Sequence, residues 1–235
     1  MHELDARTMA GVNRPFPLFW VTTSSGTYTD IAPMATLTGL THMPVRLMLA
    51  MNPKRKSFRN IERNPELVVN IPYGDEATLD KLWDSAWGGF REGEDKFSVL
   101  GIRTVPSRIV KPPRLERCIA SIEYRVLEFL RPSPATGADR PIMILEPVAC
   151  AADERYYDLA SMKYRGGTPV PFHYGGNKFS ALGREIIAGP ELRAQGRVLG
   201  GEEYFSYITS ADEKNASGDL LRRVRGHRAE RRGRG

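Results

Sequence analysis

Cysteine is nearly absent. Cys118 and Cys150 are the two thiols in 235 residues, too few for a disulfide framework, and neither sits in a CxxC or Cys/His cluster with metal-ligand spacing. The default that follows is a reducing, intracellular setting with no metal centre. Long apolar runs are missing as well. No stretch approaches the roughly 20 apolar residues of a membrane helix. Met1 to Pro17 carries charges and prolines but no apolar core of about 7 to 15 residues, so no secretory signal is expected and the protein is placed in the cytoplasm, away from membranes. No GxGxxG follows a strand, which argues against a Rossmann nicotinamide domain.

A protein-wide charge surplus is also absent, although the totals suggest one. The chain has 34 Lys and Arg against 28 Asp and Glu, a formal +6. Arg222 to Gly235 holds seven arginines and one acid, Glu230, and accounts for all of it. The rest is formally neutral, so composition gives no case for a nucleic-acid partner, and the tail is expected to be a solvated end. Local charge is another matter. Arg46 to Arg63 carries six cations and one acid, while Gly74 to Ser98 holds seven acids and three bases.

What is present is enough apolar residue, 41%, for a substantial core. Phe16 to Thr23 is aromatic and β-branched; the turn signal Ser24-Ser25-Gly26-Thr27 and then Tyr28 to Ile31 make it a hairpin. Val45 to Met51 and Glu66 to Pro72 read as buried strands. Between them Phe58 and Ile61 give Ser57 to Arg63 a short amphipathic helix closed by Asn64-Pro65. Ala77 to Trp87 has Leu79, Leu82, Trp83 and Ala86 at helical spacing before Gly88-Gly89. Arg114 to Leu130 alternates like one long strand, Pro132 to Arg140 like a turn, and Pro141 to Ala152 like the antiparallel partner. Many short strands with few helices predict a mainly β chain with short helices, an antiparallel barrel or a sandwich. Beyond Gly200 the core signal fades.

Three segments could carry chemistry. Asn52-Pro53-Lys54-Arg55-Lys56-Ser57 follows a strand and opens a helix, with Ser57 the natural N-cap. Three cations there oppose the helix dipole, and an anionic ligand such as a phosphate would resolve the conflict; a solvated basic loop explains the segment equally well. Asp30 to Gly39 (DIAPMATLTG) combines small residues, a proline and the hydroxyls of Thr36 and Thr38, suited to backbone running beside something flat, or to an ordinary strand crossover. Phe172 to Gly183 (FHYGGNKFSALG) groups aromatics, His173 and a glycine pair, as where a loop approaches a ring, although a lone histidine is more often structural. Trp83, Trp87 and Phe90 fit helix-core packing better than a lid over a ring.

In order along the chain, RPFPLFWVTT (Arg14 to Thr23), Ala32-Pro33, KRKSFRNI (Lys54 to Ile61), VVNIP (Val68 to Pro72), Gly101-Ile102, Val105-Pro106-Ser107, PRLERCIASIEYRV (Pro113 to Val126) and HYGGNKFSALG (His173 to Gly183) resemble the flavin reductase-like family. These are FMN-binding split barrels related to flavoredoxin and to the reductase components of two-component monooxygenases. The resemblance implies a Greek-key antiparallel split barrel over residues 14 to 190, after an arm at 1 to 13 and before an extension at 191 to 221 and the tail at 222 to 235. It implies FMN with its phosphate near Asn52, Lys54, Arg55 and Ser57 and its isoalloxazine along Ala32, Pro33, Met34, Ala35, Thr36 and Thr38. NADH or NADPH would dock over the exposed flavin face, lined by His173, the candidate catalytic residue, and Tyr174. Relatives are homodimers with the flavin near the interface.

Departures from the family pattern lie at Ala35, where many relatives carry Ser or Thr, at Thr38, where many carry Asn, and at Lys56, where an acid is common. Hydride transfer itself needs no paired carboxylates or Ser-His-Asp set, because the cofactor carries the reaction. Three functions are compatible: an NAD(P)H:flavin reductase supplying reduced FMN to a partner monooxygenase or another acceptor, an FMN-dependent oxidoreductase or oxygenase acting on its own organic substrate, and a flavin-binding module without turnover.

Overall fold

The computed structural model describes residues 14–196 apart from 43, 92, 133–139, 159–162, 182, 183 and 188. The expected N-terminal arm, most of the C-terminal extension, the arginine tail and the middle of the Pro132 to Arg140 turn lie outside the described residues.

A strand pair anchors the fold. β1 (Phe16–Pro17) leads through Leu18 into β2 (Phe19–Ser24), which turns back as β3 (Thr29–Met34). Ser25 N donates to Tyr28 O at 2.9 Å, and Gly26 takes the left-handed backbone, φ 95°, that the turn requires. The predicted hairpin is thus present, with Ser24 opposite Thr29. β4 (Leu37–His42) and β5 (Val45–Ala50) make a second hairpin; α1 (Lys56–Arg63) leads to β6 (Glu66–Ile71). Then come α2 (Glu76–Trp87), α3 (Lys96–Leu100), the small pair β7 (Thr104–Val105) and β8 (Arg114–Leu115), the long strands β9 (Ala120–Leu130) and β10 (Ile142–Ala152), and a second small pair, β11 (Tyr157–Asp158) and β12 (Lys163–Tyr164).

Seven of these strands form one antiparallel sheet in the order β3-β2-β6-β9-β10-β5-β4. β3 and β4 stand at its opposite edges, yet only Ala35 and Thr36 separate them in sequence. The three steps from Met34 to Leu37 reach no more than about 11 Å, so the sheet curls until its edges come together at that link, and the described chain is a barrel with a seam there. Thr36 Oγ1 donates to Ala50 O at 2.6 Å, which carries the β4–β5 pairing one step past Leu37 and Leu49.

The barrel buries two clusters on opposite sides of β2, as strand alternation requires. Val21 packs inside with Phe58 and Ile61 of α1, Leu67, Val69 and Tyr124. Trp20 faces the other way, toward Leu79, Leu82 and Trp83 of α2, with Leu18, Ile31 and Phe179. Trp20 Nε1 is satisfied by Ser85 Oγ at 3.1 Å. The second, four-stranded sheet joins β1 to the hairpin β13 (Pro171–Gly175) and β14 (Lys178–Ala181) and to β15 (Arg184–Ile187). Phe16 pairs with His173, so the β13–β14 hairpin is brought beside the start of β2.

Two expectations change. Arg114 to Leu130 is not one strand: β8 pairs with β7, residues 116–119 leave the ladder, and β9 resumes at Ala120 with partners on both sides, β6 and β10. Alternation alone does not reveal that the two halves pair with different strands. Val45 to Met51 is a strand, but its first residue is exposed and only Leu49 of β5 is fully buried, because β5 lies one strand from the sheet edge.

Candidate functional site

A cavity of about 390 Å³ opens at the barrel seam. β3 and the Ala35-Thr36 link form one wall, the entry to α1 a second, α2 and the chain after it a third, and the β13–β14 hairpin closes the end. Of the residues singled out as cofactor ligands, Ala32, Pro33, Met34, Ala35, Thr36, Asn52, Lys54, Arg55 and Ser57 line this cavity. Thr38 does not; it is exposed on β4, opposite Met48. His173 is on the cavity wall, whereas Tyr174, the next residue along the strand, is exposed and outside it.

Ser57 is not the N-cap. The helix begins at Lys56, Arg55 holds the cap position in extended conformation, and no side chain caps it. Ser57 lies fully buried inside the first turn, and its Oγ donates to Asp30 Oδ2 at 2.5 Å. The first turn has no acid of its own. Asp30, brought over from β3 and 2% exposed, supplies the negative charge that a helix start favours.

Asp30 is itself paired: Lys96 Nζ stands 2.8 Å from its Oδ1 and also donates to Ile31 O at 3.0 Å. Asp95 caps α3 by accepting from Phe97 N, which fixes Lys96 at the helix start facing β3. Among the described cavity-lining residues Asp30 is the one carboxylate, set against Lys54, Arg55, Lys56, Arg59, Lys96 and Arg140. Lys56 Nζ donates to Arg91 O at 3.1 Å, tying the chain after α2 to the start of α1.

The opposite wall is aromatic. Trp83 and Trp87 lie 5.9 Å apart at 44°, and Phe179 meets Trp83 edge-on at 6.4 Å. Trp83 is buried in the core cluster and Trp87 packs against it, so the core-packing expectation holds for these two and not for Phe90, and all three line the cavity. The cavity therefore joins a cationic end to an apolar one.

His173 has a fixed protonation state. Nε2 lies 3.0 Å from Gly176 O, which can only accept, and Nδ1 lies 3.4 Å from Arg14 Nη1, which can only donate. Both contacts require the neutral Nε2–H tautomer. Burial holds its pKa down at about 4; the bond to Gly176 offsets part of that and the Arg14 charge adds to it. Phe179 stacks on the imidazole at 5.1 Å. The residue thus offers the cavity a neutral ring rather than a proton.

Sequence reasoning did not single out Lys96, Arg59, Arg140 or Phe179 as cavity residues. Lys96 sits in a segment whose net charge is negative, and nothing in spacing connects it with Asp30, 66 positions earlier. Among the described residues no three His, Cys, Asp or Glu side chains gather as a metal site, and no helix is long and apolar enough to cross a membrane.

A curled antiparallel barrel with a cationic, aromatic-walled cavity at its seam defines a class of ligand-binding barrel, and comparison with known proteins gives the family. Residues 12–169 match the family described as flavin reductase like domain. An uncharacterised protein of Pyrococcus abyssi (strain GE5 / Orsay) is 29% identical over 114 residues, 48% of this chain and 63% of that protein. The chain thus spans less than two thirds of that curated relative's length. The fold is similar to nitrilotriacetate monooxygenase component B from Bacillus cereus, with TM-score 0.66, 16% identity, and 79% of this chain and 98% of that one covered. It is similar to an FMN-binding protein from Thermus thermophilus with bound 1-cyclohex-2-enone, with TM-score 0.65, 16% identity and coverage of 77% and 96%. It also resembles the NADH:FAD oxidoreductase SgcE6 of Streptomyces globisporus, with TM-score 0.57, 12% identity and coverage of 81% and 99%. The chain belongs to the flavin reductase-like family and has a split-barrel fold.

Proposed function

We propose that the protein is an NAD(P)H:flavin reductase that holds FMN in the seam cavity and supplies reduced flavin to a partner oxygenase or another acceptor. The observation that carries this is the joining, in one cavity of about 390 Å³, of six cations and a helix start with an aromatic wall. That volume lies in the range of small-ligand sites, roughly 300 to 1,000 Å³. The donor set fits the group: Lys54, Arg55 and the first turn of α1 face a phosphate, and the β3 backbone from Ala32 to Met34 faces a planar ring. FMN supplies the hydride-accepting chemistry. The chain's own residues bind its phosphate, flank its ring and keep one side dry with Trp83 and Trp87.

The functional unit is residues 14 to 190, acting as a homodimer. Leu40, Val45, Leu127 and Leu130, exposed on β4, β5 and β9, are apolar surface that a second copy would bury. The nicotinamide donor and the oxygenase partner are supported by what the Streptomyces and Bacillus proteins are called, and the soluble, cytoplasmic setting by the family.

A second reading keeps FMN but gives the enzyme its own small organic substrate. The apolar wall of Leu82, Trp83, Ala86, Trp87 and Phe90 favours it, as does the enone bound to the Thermus protein. Titration with FMN and riboflavin, followed by NADH and NADPH oxidation with added FMN, separates the readings. Nicotinamide oxidation dependent on added flavin is the expected result. Flavin binding without that oxidation favours the second reading, and absence of flavin binding refutes both.

A further inference from the structure

We propose that Lys96 is a positioning residue for anion binding: by neutralising the buried Asp30 carboxylate it makes the first turn of α1 receptive to a phosphate. The inference rests on the phosphate site proposed above and assigns a task to a residue outside the basic segment.

Asp30 stands directly at that turn, its Oδ2 2.5 Å from Ser57 Oγ, and both residues are buried. The Ser57 hydroxyl proton is committed to the carboxylate, so it is not available to a phosphate oxygen. An uncompensated carboxylate here would repel the anion that the helix start and Lys54 and Arg55 attract, and the repulsion would be strong because little water reaches it. Lys96 removes that repulsion. Its side chain is 14% exposed, and its ammonium contacts the other carboxylate oxygen at 2.8 Å and is held there by Ile31 O at 3.0 Å and by the Phe90 ring, whose centroid is 5.7 Å from the nitrogen. The pair is locally neutral, leaving Lys54, Arg55, Lys56, Arg59 and Arg140 as the cavity's surplus.

Local charge then sets the order of affinities for a phosphate ligand. Removing Lys96 leaves the pair at −1, removing the Asp30 charge leaves +1, and removing both restores zero. Dissociation constants for FMN and for riboflavin, which lacks the phosphate, are measured by flavin fluorescence for the full chain and for Lys96→Met, Asp30→Asn and the double variant. Lys96→Met is expected to weaken FMN binding on the order of tenfold, Asp30→Asn to tighten it, and the double variant to return to within about threefold of the wild type. Riboflavin stays within about threefold throughout. A merely structural role for Lys96 would move both ligands together.

Removing one member of a buried pair is destabilising. Should Lys96→Met fail to fold, tighter FMN binding by Asp30→Asn and near-native binding by the double variant carry the inference. Any other order, or riboflavin constants that follow those of FMN, overturns it. A wild type that binds riboflavin as well as FMN overturns the phosphate site itself, and the inference with it.

Discussion

Replacing His173 by Asn tests whether that histidine is a neutral structural ring. In the folded protein the imidazole is held to the Nε2–H form between Gly176 O and Arg14, with its pKa near 4 instead of 6.5. In the unfolded chain it takes up a proton near its ordinary value. Between those two pH values the unfolded state binds the extra proton, so stability rises with pH. The histidine's contribution is complete above about pH 6.5 and is lost as pH falls toward 4. Every pH unit between the folded and unfolded values is worth about 1.4 kcal/mol, so the whole effect is about 3 kcal/mol. Asn keeps an amide donor for Gly176 O and does not titrate. Urea denaturation of both proteins across this range gives the difference directly. The wild type should lose about 3 kcal/mol more than the variant between about pH 7 and pH 4, the carboxylates common to both cancelling. Equal pH slopes, or an imidazole resonance titrating near 6.5, would refute the assignment. A flat pH dependence of nicotinamide oxidation around 6.5 is the matching kinetic result.

Arg55→Glu reverses the charge of a cavity-lining residue at the α1 cap; FMN binding should weaken by about tenfold or more and riboflavin binding by less than about threefold, measured by fluorescence titration, and equal losses would move the phosphate elsewhere. Glu123, 1% exposed, accepts from Arg108 N, Ile109 N and Val110 N at 2.8, 2.7 and 3.2 Å. Burial works to raise its pKa, but these bonds and Arg114 outweigh it and hold the carboxyl below its usual range. Its stabilisation is therefore present above the unfolded carboxylate pKa and lost as pH falls through the lower folded value. Glu123→Gln should cost about 2 to 4 kcal/mol at neutral pH, read by chemical denaturation, and should lessen acid sensitivity. Deletion of Arg222 to Gly235 should leave FMN affinity unchanged, because the cavity is built between Leu18 and Phe179; a clear loss in titration would show that the tail takes part.

Local patterns were the legible part of this fold. The β2–β3 hairpin is written in an aromatic strand, a Ser-Ser-Gly-Thr turn and a second strand, and α2 in Leu79, Leu82 and Trp83 with a glycine pair behind them. The cavity's chain segments were legible for the same reason: a basic run after a strand, a small-residue link, an aromatic-glycine hairpin. Pairings between distant residues were not. Nothing in the basic segment says that Ser57 turns inward to Asp30 instead of capping its helix, and nothing in an acidic stretch marks Lys96 as the counterion. The break at residues 116–119 was legible too, since Glu116-Arg117 and Cys118-Ile119 interrupt the alternation, but nothing local says that β8 and β9 pair with different partners. His173 and Tyr174 form one feature in the sequence, and strand geometry sends them to opposite sides.

The seam explains why the site lies where it does. A sheet edge exposes unpaired backbone groups, and β3 has no strand partner beyond β2 among the described residues. Its exposed edge is handled by other means: Lys96 satisfies Ile31 O, and Pro33 carries no N–H to satisfy. Ala32, Pro33 and Met34 line the cavity, and under the proposed function a planar heterocycle with its own donors and acceptors would lie along this edge. Two features of the chain thus meet at one position: β3 has no strand neighbour beyond β2 among the described residues, and the described lining residues set six cations against the one carboxylate of Asp30. A phosphorylated flat ring would answer both, and that is the support the geometry lends to the proposed FMN site over a site for a phosphate or an apolar ring alone.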